Sequence, residues 1–267
     1  MIDWFQAVVL AILQGLTEFL PISSSAHLVI PSLVLEWPDQ GLAFDVAVHV
    51  GTLSAVLIYY RRDLWQMAQA WLRSLTGGGH SEDSRLVWYL AVGSIPAGLL
   101  GVTMGDFIEH HARSLPVIAT TTLVFGLLLG VADRYAIRTP GDARVGLWAA
   151  VFIGCAQAIA LVPGVSRSGV TITAGLLLNL SRQDAARFSF LLSIPVIAGA
   201  GALKGVELAQ GGHTVDWSLL VGAAVLSGLT AFACIAVFLR LLDRVGMMPF
   251  VWYRIVLAAL LYLIWIA

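Results

Sequence analysis

Gln14-Gly15-Leu16-Thr17-Glu18-Phe19-Leu20-Pro21-Ile22-Ser23-Ser24-Ser25-Ala26-His27 interrupts a hydrophobic run near the start of the chain, and Pro163-Gly164-Val165-Ser166-Arg167-Ser168-Gly169 interrupts a second one. A single offset of 143 positions lays Gln14 on Gln157, Ser23 on Ser166, Ser25 on Ser168, and Ser24 on Arg167. Polar and charged side chains are costly inside membrane-grade sequence, so they are functional candidates by default. Their duplication points to a site built between two halves of one membrane protein.

The composition agrees. Of 267 residues, 59% are hydrophobic and only 12% charged, where a soluble domain carries about 25% charged residues. Mean hydropathy is +0.88. A formal net charge of -1 gives no reason to expect nucleic acid or a charge-driven surface attachment. Cys155 and Cys234 both lie in apolar segments and read as packing residues rather than a disulfide. No Cys/His group has structural-zinc spacing. The N-terminus reads as part of the fold rather than a cleaved leader, because Asp3 stands where a basic residue belongs and Gln14 and Glu18 interrupt the apolar run. Trp4, Trp37, Trp88, Tyr135, Trp217 and Trp252 fall near span ends and suit an interfacial aromatic belt.

Six segments are long and apolar enough to cross a bilayer: 41–60, 86–104, 115–132, 187–208, 217–239 and 249–266. Residues 4–36 and 145–180 differ, because Pro21 and Pro163-Gly164 divide each into helix, break, helix. Their halves are short for spans. Re-entrant hairpins explain this, with tips buried in protein or lining a polar cavity. If both dip in and return, Arg61, Arg62, Arg73, Arg85, Arg134, Arg138, Arg144, Arg182, Arg187, Arg240 and Arg244 share one face, leaving Arg113 and Lys204 opposite. The arginine-rich face is then cytoplasmic. Each half contains one hairpin and three spans, so the second half is inverted relative to the first. The expected fold is therefore an all-α polytopic membrane protein: six transmembrane helices plus two re-entrant helical hairpins in an inverted repeat. It forms a single membrane domain over 1–267, with repeats of about 1–135 and 145–267. Ser94-Ile95-Pro96 and Ser193-Ile194-Pro195 recur at another offset and read as a coincidence.

Gln14 and Glu18 are four apart and project from one helix face toward the break. Ser23, Ser24, Ser25 and His27 follow at the tip, where free N–H groups at a helix start favour an anion. Arg167 supplies a planar, permanently charged fork suited to phosphate oxygens, flanked by Ser166 and Ser168. These groups are a toolkit for phosphoryl transfer. Blander readings stand beside it: serines as helix caps, His27 as a core histidine, and Glu18–Arg167 as a structural ion pair. His49 and Asp45 read as interfacial residues, and His110, His111 and His213 as solvated loop residues. Arg254 reads as a snorkelling residue near the cytoplasmic end of its span. Gly126 and Gly130, and also Gly101 and Gly105, are spaced for close helix packing. No Walker loop, GxGxxG or HExxH occurs.

Gln14 to Pro21 with Ser23 to His27 resembles the (Glu/Gln)xxxE block of the undecaprenyl-diphosphate phosphatases, the bacitracin-resistance lipid phosphatases. Pro163 to Thr171 resembles their PGxSRSxxT block, and Phe44 to Arg62 and Arg187 to Val196 are also similar to the family. The resemblance implies removal of the terminal phosphate from undecaprenyl diphosphate, in a bacterial inner membrane, at a site open to the external side. It implies Glu18, Ser24, His27 and Arg167 as principal site residues, and Gln14, Ser23, Ser25, Gly164, Ser166, Ser168 and Thr171 as substrate-binding ones. The first motif position is Gln14 rather than a glutamate. The other membrane lipid phosphatases carry a Lys/Arg-Pro block and a histidine soon after their Ser-Arg. This chain has one lysine, Lys204, and no histidine between Arg167 and His213.

Three mechanisms stay open at this level: Ser24 as nucleophile activated by Glu18 with His27 as acid, His27 as nucleophile, or water activated by a divalent cation (Mg or Ca) on Glu18. No organic cofactor is expected. The expected partners are a polyprenyl diphosphate and the membrane, not nucleic acid, and a homodimer is left open. A flippase or small-anion transporter is the alternative function, since inverted repeats are transporter architecture.

Overall fold

In the computed structural model of the chain, residues 2–138, 143–210 and 216–266 are described. Among the described residues the protein is all-helical, with eleven helices and no strand. Asp3 starts α1 (Trp4–Thr17) with a capping box in which its carboxylate accepts from the Gln6 amide and the Gln6 side chain accepts from the Asp3 amide. Pro21 follows the helix end, and α2 (Ser24–Val34) starts from Ser23, whose hydroxyl accepts from the Ala26 amide. Next come α3 (Gly41–Tyr59), α4 (Arg61–Leu75), α5 (Glu82–His111) and α6 (Leu115–Arg138). The second broken region gives α7 (Leu147–Ile159) and α8 (Arg167–Leu177), followed by α9 (Arg182–Gln210), α10 (Trp217–Val245) and α11 (Met248–Ile266).

Six helices, α3, α5, α6, α9, α10 and α11, are long and apolar enough to cross a membrane. Even the 19 residues of α3 reach about 28 Å at ~1.5 Å per residue, close to the hydrocarbon thickness. The 14 residues of α1 and 11 of α2 do not. The protein is a multi-pass membrane protein. Residues 61–75, which hydropathy leaves outside any span, form α4; it buries Met67 and leaves Trp65 and Leu72 exposed.

Each broken region closes on itself. Phe5 meets Trp37 edge-on with ring centroids 6.3 Å apart, at the open end of α1–α2. The Ala143 amide donates to the Asn179 carbonyl at 3.3 Å, at the open end of α7–α8. The two helical hairpins then pack on different halves of the chain: α1 lies along α10, and α7 lies along α5. Close approach makes this packing work. A Cβ on Gly51 of α3 would sit 2.1 Å from the Ala224 carbonyl oxygen of α10, so only glycine fits. Gly126 and Gly130 of α6 face Arg254 and Val251 of α11, as their spacing predicts, whereas Gly105 faces open space and Gly101 has only the Leu161 side chain at 3.9 Å.

Cys234 is buried and donates to the Leu16 carbonyl, but Cys155 is exposed on α7; both are free thiols. His110 and His111 are exposed, while His213 lies outside the described residues. A cavity of about 440 Å³ near the α5 N-terminus is lined by Glu82, Asp83, Arg85, Arg144, Asp184 and Arg187 among others. Its arginines and carboxylates balance, and Glu18 is not part of it.

Candidate active site

The tips of the two hairpins meet inside the bundle. At each tip a serine takes an unusual conformation: Ser23 has φ 75 and Ser166 φ 71. A non-glycine residue at positive φ costs about 1–3 kcal/mol and persists only where its surroundings enforce it. Each hydroxyl caps its own helix, Ser23 accepting from the Ala26 amide and Ser166 from the Gly169 amide. Each also lies beside the serine two positions on, 3.2 Å for Ser23–Ser25 and 3.3 Å for Ser166–Ser168. The duplicated residues therefore have duplicated geometry.

Between the tips stands Glu18, buried at 7% exposure. One carboxylate oxygen accepts from the Arg167 guanidinium at 2.7 Å. The other accepts from the Ser24 hydroxyl at 2.6 Å and from the Gln14 amide at 3.0 Å. The i to i+4 spacing of Gln14 and Glu18 on α1 makes the last contact possible. Arg167 is the first residue of α8, so the ion pair joins the halves across 149 positions. Its guanidinium also lies 5.7 Å from the centre of the buried Phe19 ring. Ser168 donates to the Leu20 carbonyl at 2.8 Å, a second link between the tips.

Other expected residues hold this centre from behind. Thr171 donates back to the Arg167 carbonyl and lies 2.6 Å from the Ser189 hydroxyl, while the Ser189 carbonyl accepts from Arg167 at 3.4 Å. Thr171 is buried behind Arg167. Gly164 is buried at φ 90, and a Cβ there would come within 2.1 Å of the Thr121 hydroxyl. Ser25 alone among the tip serines is exposed. In the second copy Leu161 stands at the position of Glu18, and Gln157 is buried with neither side-chain polar atom partnered. Only the first copy has a carboxylate.

His27 is near the tip but turned elsewhere. Its Nδ1 lies 2.7 Å from the Ser23 carbonyl and its Nε2 2.5 Å from the Tyr253 hydroxyl of α11. No hydrogen bond joins it to Glu18, Ser24 or Arg167 among the described residues. His49 is the reverse case: expected at the interface, it places Nε2 3.9 Å from Glu18. Its Nδ1 lies 2.7 Å from the Asp45 carbonyl, because the two are one turn apart on α3.

Arg254 overturns the snorkelling expectation. It is 0% exposed. Its guanidinium donates to the carbonyls of Thr122 (3.0 Å), Thr121 (3.4 Å), Pro21 (3.3 Å), Gly164 (2.9 Å) and Val165 (3.1 Å). Both turns expose carbonyls that no helix satisfies, and a five-donor fork between them is the compensating group.

A divalent cation would have Glu18 as its protein carboxylate here, with the phosphates of the substrate as further oxygen ligands. Both Glu18 oxygens are engaged, one by a guanidinium whose charge opposes a metal ion, and no three His, Cys, Asp or Glu side chains converge among the described residues. What the arrangement offers is a hydroxyl against a carboxylate base, with a fixed positive charge alongside.

A family model described as bacitracin resistance protein BacA matches residues 7–260. An undecaprenyl-diphosphatase of Teredinibacter turnerae is 56% identical over 261 residues, covering 98% of this chain and 99% of its own. One of Hahella chejuensis is 54% identical over 263 residues, 98% of each chain. Another, of Alcanivorax borkumensis, is 56% identical over 265 residues, covering 99% of this chain and 100% of its own.

Proposed function

The chain belongs to the bacitracin resistance protein BacA family, and from that membership and the geometry around Glu18 we infer that it is an undecaprenyl-diphosphatase. It hydrolyses the terminal phosphate of undecaprenyl diphosphate to undecaprenyl phosphate and inorganic phosphate, which recycles the lipid carrier of cell-wall synthesis and confers resistance to bacitracin. The observation that carries the mechanism is the 2.6 Å contact of the Ser24 hydroxyl with Glu18, whose other oxygen is held by Arg167. A hydroxyl nucleophile needs a base within hydrogen-bond reach, and phosphoryl transfer needs positive charge where the leaving oxygen develops.

In this reading the diphosphate docks against Arg167 and the N-terminal amides of α2 and α8. Ser24 Oγ attacks the terminal phosphorus as Glu18 takes its proton, and the bond to the lipid phosphate oxygen breaks. Undecaprenyl phosphate leaves, and water then cleaves phosphoserine to inorganic phosphate, restoring the Ser24 hydroxyl. Gln14 holds Glu18, Thr171 with Ser189 holds Arg167, and Ser23, Ser25, Ser166 and Ser168 shape the two turns.

The two helical hairpins are read as re-entrant. Trp4 of α1 packs beside Gly222, and Phe44 of α3 joins the cluster containing Leu219 and Leu220, so both helices begin at one end of α10. The chain between them therefore returns to its starting side. With the arginine-rich end cytoplasmic, α1–α2 enters from outside and α7–α8 from inside, an inverted pair in the bacterial inner membrane with its site open externally.

The test is phosphate release from a polyprenyl diphosphate by purified protein in detergent, where transport has no meaning. Release by the wild type, lost in Arg167→Ala, is expected. No release, or undiminished release by Arg167→Ala, would overturn the assignment.

A further inference from the structure

α4 takes no part in the site, yet its sequence carries three distinct faces. Leu64 and Met67 pack in the core, and Trp71 follows on the same side to meet Trp88 of α5 edge-on, with ring centroids 5.9 Å apart. A second apolar stripe, Trp65, Ala68, Leu72 and Leu75, runs at i, i+3, i+7 and i+10 and is turned away from the protein. Trp65 is 66% exposed, Leu72 56% and Leu75 55%. Arg62, Gln66, Gln69 and Arg73, at i, i+4, i+7 and i+11, form the third face, also exposed. A helix whose outer side met only water would be polar there.

The neighbours of α4 set its depth. α3 is a span that ends at Tyr59, and only Tyr60 separates it from Arg61. The Arg61 guanidinium donates back to the Ile58 carbonyl at 3.1 Å, tying the two helices at the corner. Trp88, the partner of Trp71, lies in the second turn of α5, the next span. α4 therefore lies at one bilayer surface, where tryptophan is favoured. Its charge is equally one-sided. Asp63, its one acidic residue, is engaged by Arg187 at 3.0 Å, and the face of Arg62 and Arg73 holds no carboxylate.

We propose that α4 is an interfacial helix that binds anionic phospholipid. The stripe from Trp65 to Leu75 sits among the upper acyl chains, and Arg62 and Arg73 meet the headgroup phosphates beside it. Two arginines on a face without carboxylates select a headgroup of net negative charge over a zwitterionic one, whose ammonium group cancels the phosphate. The inference concerns α4 and the lipid alone, and holds whatever reaction the Glu18 site performs.

A fluorophore on the stripe tests this. In a Cys155→Ser, Cys234→Ser background, Ala68→Cys is labelled with an NBD group and the protein is reconstituted in mixed phosphatidylcholine and phosphatidylglycerol vesicles. One lipid or the other carries a nitroxide quencher in its acyl chain. Both should quench, and phosphatidylglycerol more strongly at equal mole fraction, its relative affinity higher by roughly fivefold per arginine. About 1 M salt, which cuts the screening length to ~3 Å, should bring the two lipids to parity, as should Arg62→Gln combined with Arg73→Gln. A label at Val225→Cys, exposed on α10, should be quenched equally by both lipids throughout. No quenching at Ala68→Cys would overturn the proposal by placing α4 in water or under a second copy of the chain. Equal quenching with both arginines present, or a preference that survives their loss, would overturn the headgroup selection. Because phosphate release is not read, failure here and failure of the phosphatase assignment are distinguishable.

Discussion

At the residue scale, Glu18 is the centre of the site because it answers three donors at once: Arg167, Ser24 and Gln14. Its negative charge is buried, and a buried charge must be paired and hydrogen-bonded. The Arg167 pair meets the first demand, and Ser24 and Gln14 hydrogen-bond the remaining oxygen. Glu18→Gln keeps the shape and loses the base. Its kcat should drop by about 10²- to 10⁴-fold, the usual worth of a general base, in the same phosphate-release assay; a loss below tenfold would exclude Glu18 as the base. Rapid quench with substrate labelled in its terminal phosphate should trap the label on Ser24, and Ser24→Ala should trap none. Label on His27 would instead make the imidazole the nucleophile, and no label at all would favour direct attack by water.

At the element scale, the two turns are held from behind by α11. Arg254 has no carboxylate partner in its five bonds; three go to the Pro21, Gly164 and Val165 carbonyls of the turns, and two to the Thr121 and Thr122 carbonyls of α6. Those turns also contain Ser23 and Ser166 at positive φ, a conformation that needs enforcement in a residue other than glycine. Arg254→Met strands several buried acceptors, each costing about 1–3 kcal/mol. Thermal unfolding in detergent should show a large fall in midpoint, with Arg254→Lys intermediate because three rotatable donors replace a fixed fork. A midpoint equal to wild type in Arg254→Met would refute the clamp. This contact also marks the limit of sequence reading. The breaks, the six long helices and the Glu18–Ser24–Arg167 residue types are legible because hydrophobic length and intruding polar groups are local properties. Arg254 is not, since an arginine six residues inside a helix end reads alike whether it snorkels or is buried against a loop 233 positions away. His49 and Tyr253 escape for the same reason: each is an ordinary polar residue in a span until a distant tip is packed beside it. The second serine block is legible as an anion site, but not that Thr171 works through Ser189, a contact between α8 and α9.

At the scale of the whole molecule, the proposed topology decides which water the site meets. Two short hairpins closed at their bases, by Phe5–Trp37 and by Ala143–Asn179, are compatible with re-entry, since the ends of each come together. Their opposite entry sides follow from the helices between them: α3, α5 and α6 are three crossings, an odd number, so the second hairpin starts where the first does not. Arginine placement then fixes the sense. The ion pairs Arg187–Asp63 and Arg182–Asp133, with Arg144–Glu82, gather at the end assigned to the cytoplasm. Single cysteines in a Cys155→Ser, Cys234→Ser background read this directly. Asp3→Cys and Asp39→Cys should both react with a membrane-impermeant maleimide added to intact cells or spheroplasts, because they flank the first hairpin on one side. Arg144→Cys and Ser181→Cys, flanking the second, should react only in inverted vesicles. Labelling of Asp3→Cys and Asp39→Cys from opposite sides would make α1–α2 a true crossing, would remove the inversion between the halves, and would leave the Glu18–Arg167 pair without its route to the outer surface.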